Sequence, residues 1–174
     1  ALVLLGNIAG RHEAASDVRA LAAAIAAKTG AKLGTLSPGA NSAGLSLAGV
    51  LSGEGAHAGA MLDEDLDAVV LLNVEPDADL HACDGAVDKL SRQEFVVAMT
   101  PFVSDALLEA ADLLLPIGTF AETSGTYVNV EGTWQSFQGV ASPVGESRPA
   151  WKVLRVLGNL VDADGFDYVT SEDV

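Results

Sequence analysis

Glu122, Thr123 and Ser124 place a carboxylate beside two hydroxyls, and Gly125, Thr126, Asn129, Gly132 and Gln135 follow within the same stretch, AETSGTYVNVEGTWQ. Residues of these types can do two kinds of work. Glycine lets the backbone approach a ligand closely, and carboxylate, amide and hydroxyl groups can hold a polar ligand by hydrogen bonds. The same residues can instead serve turns and satisfy nearby backbone. A second polar set, Asn73 and Glu75 in NVEPDAD, follows the apolar run AVVLLNV. Glu75 precedes a proline, so it is expected to be extended.

Other chemistries are not legible. GNIAGRHE has two glycines at the start of a helix, where N–H groups could hold a phosphate, but it lacks the G-x-G-x-x-G fingerprint. His12, His57 and His81 have no metal-ligand spacing, and His81 and Cys83 are two apart, pointing to different sides of a helix. DADGFDYVTSED fails as a calcium loop, because Asp167 stands where glycine is needed and Phe166 where an oxygen ligand is needed. G-x-S-x-G does not occur. No catalytic residue and no metal ligand is therefore assigned.

The elements that must position the polar sets read as alternating strands and helices. ALVLLG reads as a short buried strand, and AKLGTL as a second. Between them, Val18, Leu21, Ala22 and Ile25 mark one face of a helix, with Gly30 as its C-cap. Residues 37–60 read as loop with at most a short helix. AVVLLNV and EFVVAMT are strands, and ADLHACDGAVDKL between them reads as one helix. SDALLEAA is a helix capped by Ser104, with Asp105 in its first turn. DLLLPI is a strand stopped by proline, the polar stretch is a loop, and PAWKVLRVLGNLV is an amphipathic helix built on Trp151, Leu154, Val156, Leu157 and Leu160. An acidic tail over 162–174 is expected to fray. This order predicts an α/β fold, a Rossmann-like parallel sheet with helices on both faces, as a single domain over 1–174. In such sheets ligands lie beyond the carboxyl ends of the strands, which is where both polar sets fall.

Composition narrows the partners. Nine basic and 24 acidic residues give a net charge of −15, which repels nucleic acid and anionic membrane surfaces. Hydrophobic residues make up 49%, yet no run approaches the roughly 20 apolar residues of a membrane span. A single cysteine, Cys83, cannot supply an internal disulfide or an iron–sulfur site. The chain opens on a strand without an initiator methionine, as expected of a piece of a longer protein.

The order ADLLLP, then E-x-x-G-T-x-x-N-x-E-G, then Gln135, then SRPAW leading a helix, resembles the molybdopterin oxidoreductase superfamily. Within it the chain is most similar to the G-type electron-transfer subunit of NADH–quinone oxidoreductase, respiratory complex I, through GANSAGLSLAGVL and LGNLVDADGFDYVTSEDV as well. The resemblance implies a non-catalytic structural domain of that subunit, with the pterin cofactor lost and iron–sulfur clusters carried elsewhere in the longer protein. It implies a relict cleft in which Glu122, Gly125, Thr126, Asn129, Glu131, Gly132 and Gln135 run near the pterin position. Asn73, Val74 and Glu75 would face its nucleotide end. Implied partners are other domains of the same subunit and the peripheral-arm subunits of complex I, on the cytoplasmic side of the inner membrane. The alternative is a molybdopterin-dependent enzyme domain of formate dehydrogenase type. One departure weakens retention of the cofactor: position 133 is Thr where the family usually has arginine, a fork of donors for anions.

Overall fold

A computed structural model describes residues 1–10, 12–50, 56–80 and 83–174. The chain divides into two compact units: Ala1–Gly53 with Thr126–Ser136, and Glu54–Gly125 with Phe137–Val174. The span 1–174, expected as one domain, thus contains two such units.

In the first unit, β1 (Leu2–Leu5) leads through the short helix α1 (Asn7–Gly10) to α2 (Ala15–Thr29) and then to β2 (Lys32–Thr35). The strands pair in parallel, Val3 beside Leu33 and Leu5 beside Thr35. Gly30 takes a left-handed conformation (φ 67°) and ends α2 with its N–H on the Ala26 carbonyl, as the sequence predicts. The buried face of α2 differs from the expected one. Ala22 and Ala26, one turn apart, are buried, while Leu21 (65% exposed) and Ile25 (54%) lie to the side. β1 is not the buried strand expected either, since Leu2 and Leu4 are 61% and 54% exposed. The small alanines let α2 approach the sheet, while the larger apolar residues stay largely exposed. α3 (Ser42–Leu47) follows, the short helix allowed for in the glycine-rich stretch; residues 51–55 of that stretch lie outside the described ones.

The second unit holds the apolar core. After α4 (Ala58–Leu62), β3 (Val69–Leu72) is followed by α5 (Pro76–Asp79), α6 (Ala86–Leu90), β4 (Val96–Thr100), α7 (Asp105–Ala110) and β5 (Leu113–Pro116). The sheet is parallel, in the order β3-β4-β5, with Leu71 beside Ala98 and Ala98 beside Leu114. Every residue of β4 is buried, which its continuous apolar run requires of a central strand. Leu62, Leu71, Ala86, Leu90, Val96, Ala98, Leu107 and Ala110 form the core. Ser104 caps α7 by accepting from the Leu107 N–H at 3.2 Å. ADLHACDGAVDKL is two short helices and not one. Gly85 takes a left-handed conformation (φ 67°) ahead of α6, which interrupts the helical path; His81 lies outside the described residues.

The polar stretch is not a loop. A 3₁₀ turn (Phe120–Glu122) leads into β6 (Gly125–Val128), which pairs with β7 (Trp134–Phe137). A connection this short joins antiparallel strands, so the pair is a hairpin. α8 (Ala150–Leu160) closes the regular structure. Trp151, Leu154 and Leu157 are half-buried on it, whereas Val156 (47%) and Leu160 (75%) are exposed. Residues 162–174, expected to fray, lie against α8 in the structure. Their backbone is bound back to α8, by Arg155 Nη1 to the Tyr168 carbonyl (3.0 Å) and Asn159 Nδ2 to the Phe166 carbonyl (3.4 Å). Phe166 lies against Gly158 so closely that a Cβ at 158 would overlap its ring.

The fold is α/β, with parallel sheets flanked by helices. Among the described residues, no helix is long and apolar enough to cross a membrane.

Candidate functional site

The predicted site residues fall in both units. In the second unit, Asn73 ends β3 in a left-handed conformation (φ 54°), with its N–H on the Met99 carbonyl at 2.8 Å. Asparagine tolerates that conformation better than most residues. Glu75 is extended (φ −102°, ψ 106°), as its proline neighbour dictates. Its N–H donates to Asp79 Oδ2 at 2.8 Å, and Pro76 behind it is fully buried at the start of α5. This loop lies at the carboxyl end of a parallel strand, the place expected for ligands.

Glu122 is half-buried, and its role is local. Oε2 accepts from Thr119 N–H at 2.8 Å and from Thr119 Oγ1 at 3.0 Å. The Thr119 hydroxyl in turn takes the Glu122 N–H, which completes a capping box around the 3₁₀ turn. The Thr119 backbone and hydroxyl, with the Val144 backbone, hold this carboxyl below the ordinary glutamate range. Gly125 leaves room for the Phe137 ring; a Cβ there would sit 3.0 Å from Cζ.

In the first unit, Thr126 Oγ1 meets Ser136 Oγ across the hairpin at 3.0 Å. Asn129 Oδ1 accepts from both Glu131 N–H and Thr133 N–H at 2.9 Å, and Gly132 follows in a left-handed turn (φ 81°). The side chain of Asn129 thus builds the hairpin tip. Gln135 is exposed on β7. Val128, in the middle of the hairpin, is 2% exposed and donates its N–H to Asn41 Oδ1 at 2.8 Å.

A cavity of about 380 Å³ in the second unit joins Glu122, Thr123 and Ser124 to residues that the sequence did not single out as a site. Glu122, Thr123 and Ser124 form one wall, Gln138 and Gly139 another, and Trp151 with Lys152 at the head of α8 a third. Residues 169–172 complete it. Lys152 Nζ lies 5.3 Å from the Trp151 ring centroid, a cation–π distance. Glu122, Thr123 and Ser124 carried a sequence signal for this cavity, and Trp151 was read there only as an apolar residue of the closing helix.

The chemistry of the polar stretch is set by its charges. Residues 121–135 contain two carboxylates, Glu122 and Glu131, and no lysine, arginine or histidine. The Glu122 and Asn129 oxygens point to their own backbone. A phosphate-bearing pterin favours donors and positive charge; residues 121–135 supply hydroxyl and amide donors but no cation of their own. No group of three or more histidine, cysteine, aspartate or glutamate side chains among the described residues could hold a metal ion.

The molybdopterin oxidoreductase family model matches residues 1–160. The chain belongs to the molybdopterin oxidoreductase family. None of the curated proteins compared with it matches. The family match takes in both polar sets and α8, and it stops where the 162–174 segment turns back on that helix.

Proposed function

We propose that this chain is a non-catalytic structural part of an electron-transfer subunit similar to the one in NADH–quinone oxidoreductase. In this reading the pterin-facing stretch has become a scaffold. The observation that carries it is the use of the polar side chains. Glu122 closes a capping box and Asn129 closes a turn, so both spend their acceptors on backbone. Thr133, where the family usually has arginine, supports the same reading. Cofactor chemistry would then rest on iron–sulfur clusters elsewhere in the longer protein. The partners would be its other domains and the peripheral-arm subunits, on the cytoplasmic side of the inner membrane. The exposed Leu2, Leu4 and Leu33 of a two-stranded parallel sheet fit burial against further protein, because such sheets are ordinarily covered on both faces.

A second reading, a domain of a molybdopterin-dependent enzyme of formate dehydrogenase type, is favoured by the family match itself and by Asn73. A left-handed residue at the carboxyl end of a parallel strand is the kind of strain that ligand sites hold. The test is the metal content of the full-length protein purified from a host that makes the pterin cofactor. The structural reading expects iron with molybdenum absent and no oxidised-pterin fluorescence. Stoichiometric molybdenum would overturn it in favour of the second reading.

A further inference from the structure

Residues 162–174 reverse direction at the end of α8 and lie along it. The reversal is built in. Asp162 is left-handed (φ 53°), its N–H reaches the Asn159 carbonyl at 3.3 Å, and the Ala163 N–H reaches the Gly158 carbonyl at 2.9 Å. This is the bond pattern of a Schellman cap. Gly165 is left-handed as well (φ 84°). The segment then seats Phe166, one of its two aromatics, on the buried Gly158, the position in α8 where the lack of a side chain admits a ring. Beyond it, Asp173 Oδ2 gathers the Val169 and Thr170 N–H groups at 2.9 and 2.8 Å, and that turn is the wall of the cavity facing Trp151 and Lys152.

The attachment is light. Its hydrogen bonds to α8 side chains are exposed, and the ion pair found among the described residues, Lys89–Asp63, lies elsewhere. Segments held by few apolar contacts and exposed hydrogen bonds open at low cost.

We infer that residues 162–174 are a releasable strap, seated by Phe166 on Gly158, and that its release opens the cavity at the head of α8. The inference does not depend on whether the chain is structural or cofactor-bearing. Gly158→Ala and Phe166→Ala test it in the whole chain. Both are made with Trp134→Phe, which leaves Trp151 as the remaining tryptophan. Amide exchange at Val169 and Thr170 should quicken roughly tenfold or more in both variants, while the amides of β4 keep their protection, showing an intact core. Acrylamide quenching of Trp151 should rise in step. If the Val169 and Thr170 amides exchange at the unaltered rate in both variants, the strap is not seated there. If they quicken while Trp151 quenching stays fixed, the strap does not control the cavity. Either result overturns the inference.

Discussion

Replacing Gly132 by alanine isolates the cost of one backbone conformation. Gly132 sits at φ 81° in the hairpin tip, and a Cβ built on it meets nothing within 4 Å. No clash therefore contributes, and the effect is conformational alone. A non-glycine L-residue in this region costs about 1–2 kcal/mol. Alanine also narrows the unfolded ensemble, which returns about 0.4–1 kcal/mol. The net expectation is a loss of about 1 kcal/mol in the unit that holds the hairpin. With a urea m-value of about 1–3 kcal/mol/M, the midpoint falls by roughly 0.3–1 M. Trp134 fluorescence, read with Trp151→Phe, follows that unit. Gly132→Asn should recover part of the loss, because asparagine tolerates the left-handed region. Gly10→Ala is the control: its Cβ also meets nothing within 4 Å, but it lies in α1 and outside the positive-φ set. It should leave the midpoint unchanged or raise it. Equal midpoints for Gly132→Ala and the unaltered chain would refute the reasoning and mean that the tip relaxes freely.

Leu90→Ala empties a side chain that is 0% exposed in the second core and should cost about 2–5 kcal/mol in thermal or chemical unfolding; a loss below about 1 kcal/mol would mean the core collapses around the gap. Glu122 has a folded pKa below its unfolded one, so its contribution is present above the unfolded value and fades as pH falls through the folded value. Glu122→Gln should therefore be less stable than the unaltered chain at neutral pH, with the difference shrinking as the solution is acidified below the ordinary glutamate range; a difference that stays constant down to strong acid would remove the capping box as its source.

The parts of the fold that were legible in the sequence are those whose signals are local. β4 announced itself as a continuous apolar run, α7 through Ser104, and α2 through Gly30. The hairpin was hidden by its polarity. TYV and WQSF have strand character, and Asn129 to Gly132 is a turn, yet the glycines and hydroxyls read as ligand-binding loop. Thr119 to Glu122 has the T-x-x-E spacing of a capping box, but Glu122 was weighed as a cleft residue. Nothing periodic links Phe166 to Gly158; their fit depends on a missing side chain, which leaves no pattern to read. The polar sets were found because this architecture places ligand loops after strands. What the side chains do there depended on hydrogen-bond geometry that spacing does not carry.

The bond from Val128 N–H to Asn41 Oδ1 spans 87 positions along the chain. The first unit is therefore discontinuous: it needs Thr126–Ser136 to complete what Ala1–Gly53 begins. During synthesis at about 5–20 residues per second, the amino-terminal part waits several seconds for its last segment. In that interval Asn41 Oδ1 lacks the Val128 N–H donor. Closing so long a loop also slows folding relative to local helix formation. The second unit is interrupted by the same hairpin. Each unit is thus finished only after the ribosome has made part of the other, and neither is a free-standing stretch of chain that could be cut out by a single pair of boundaries.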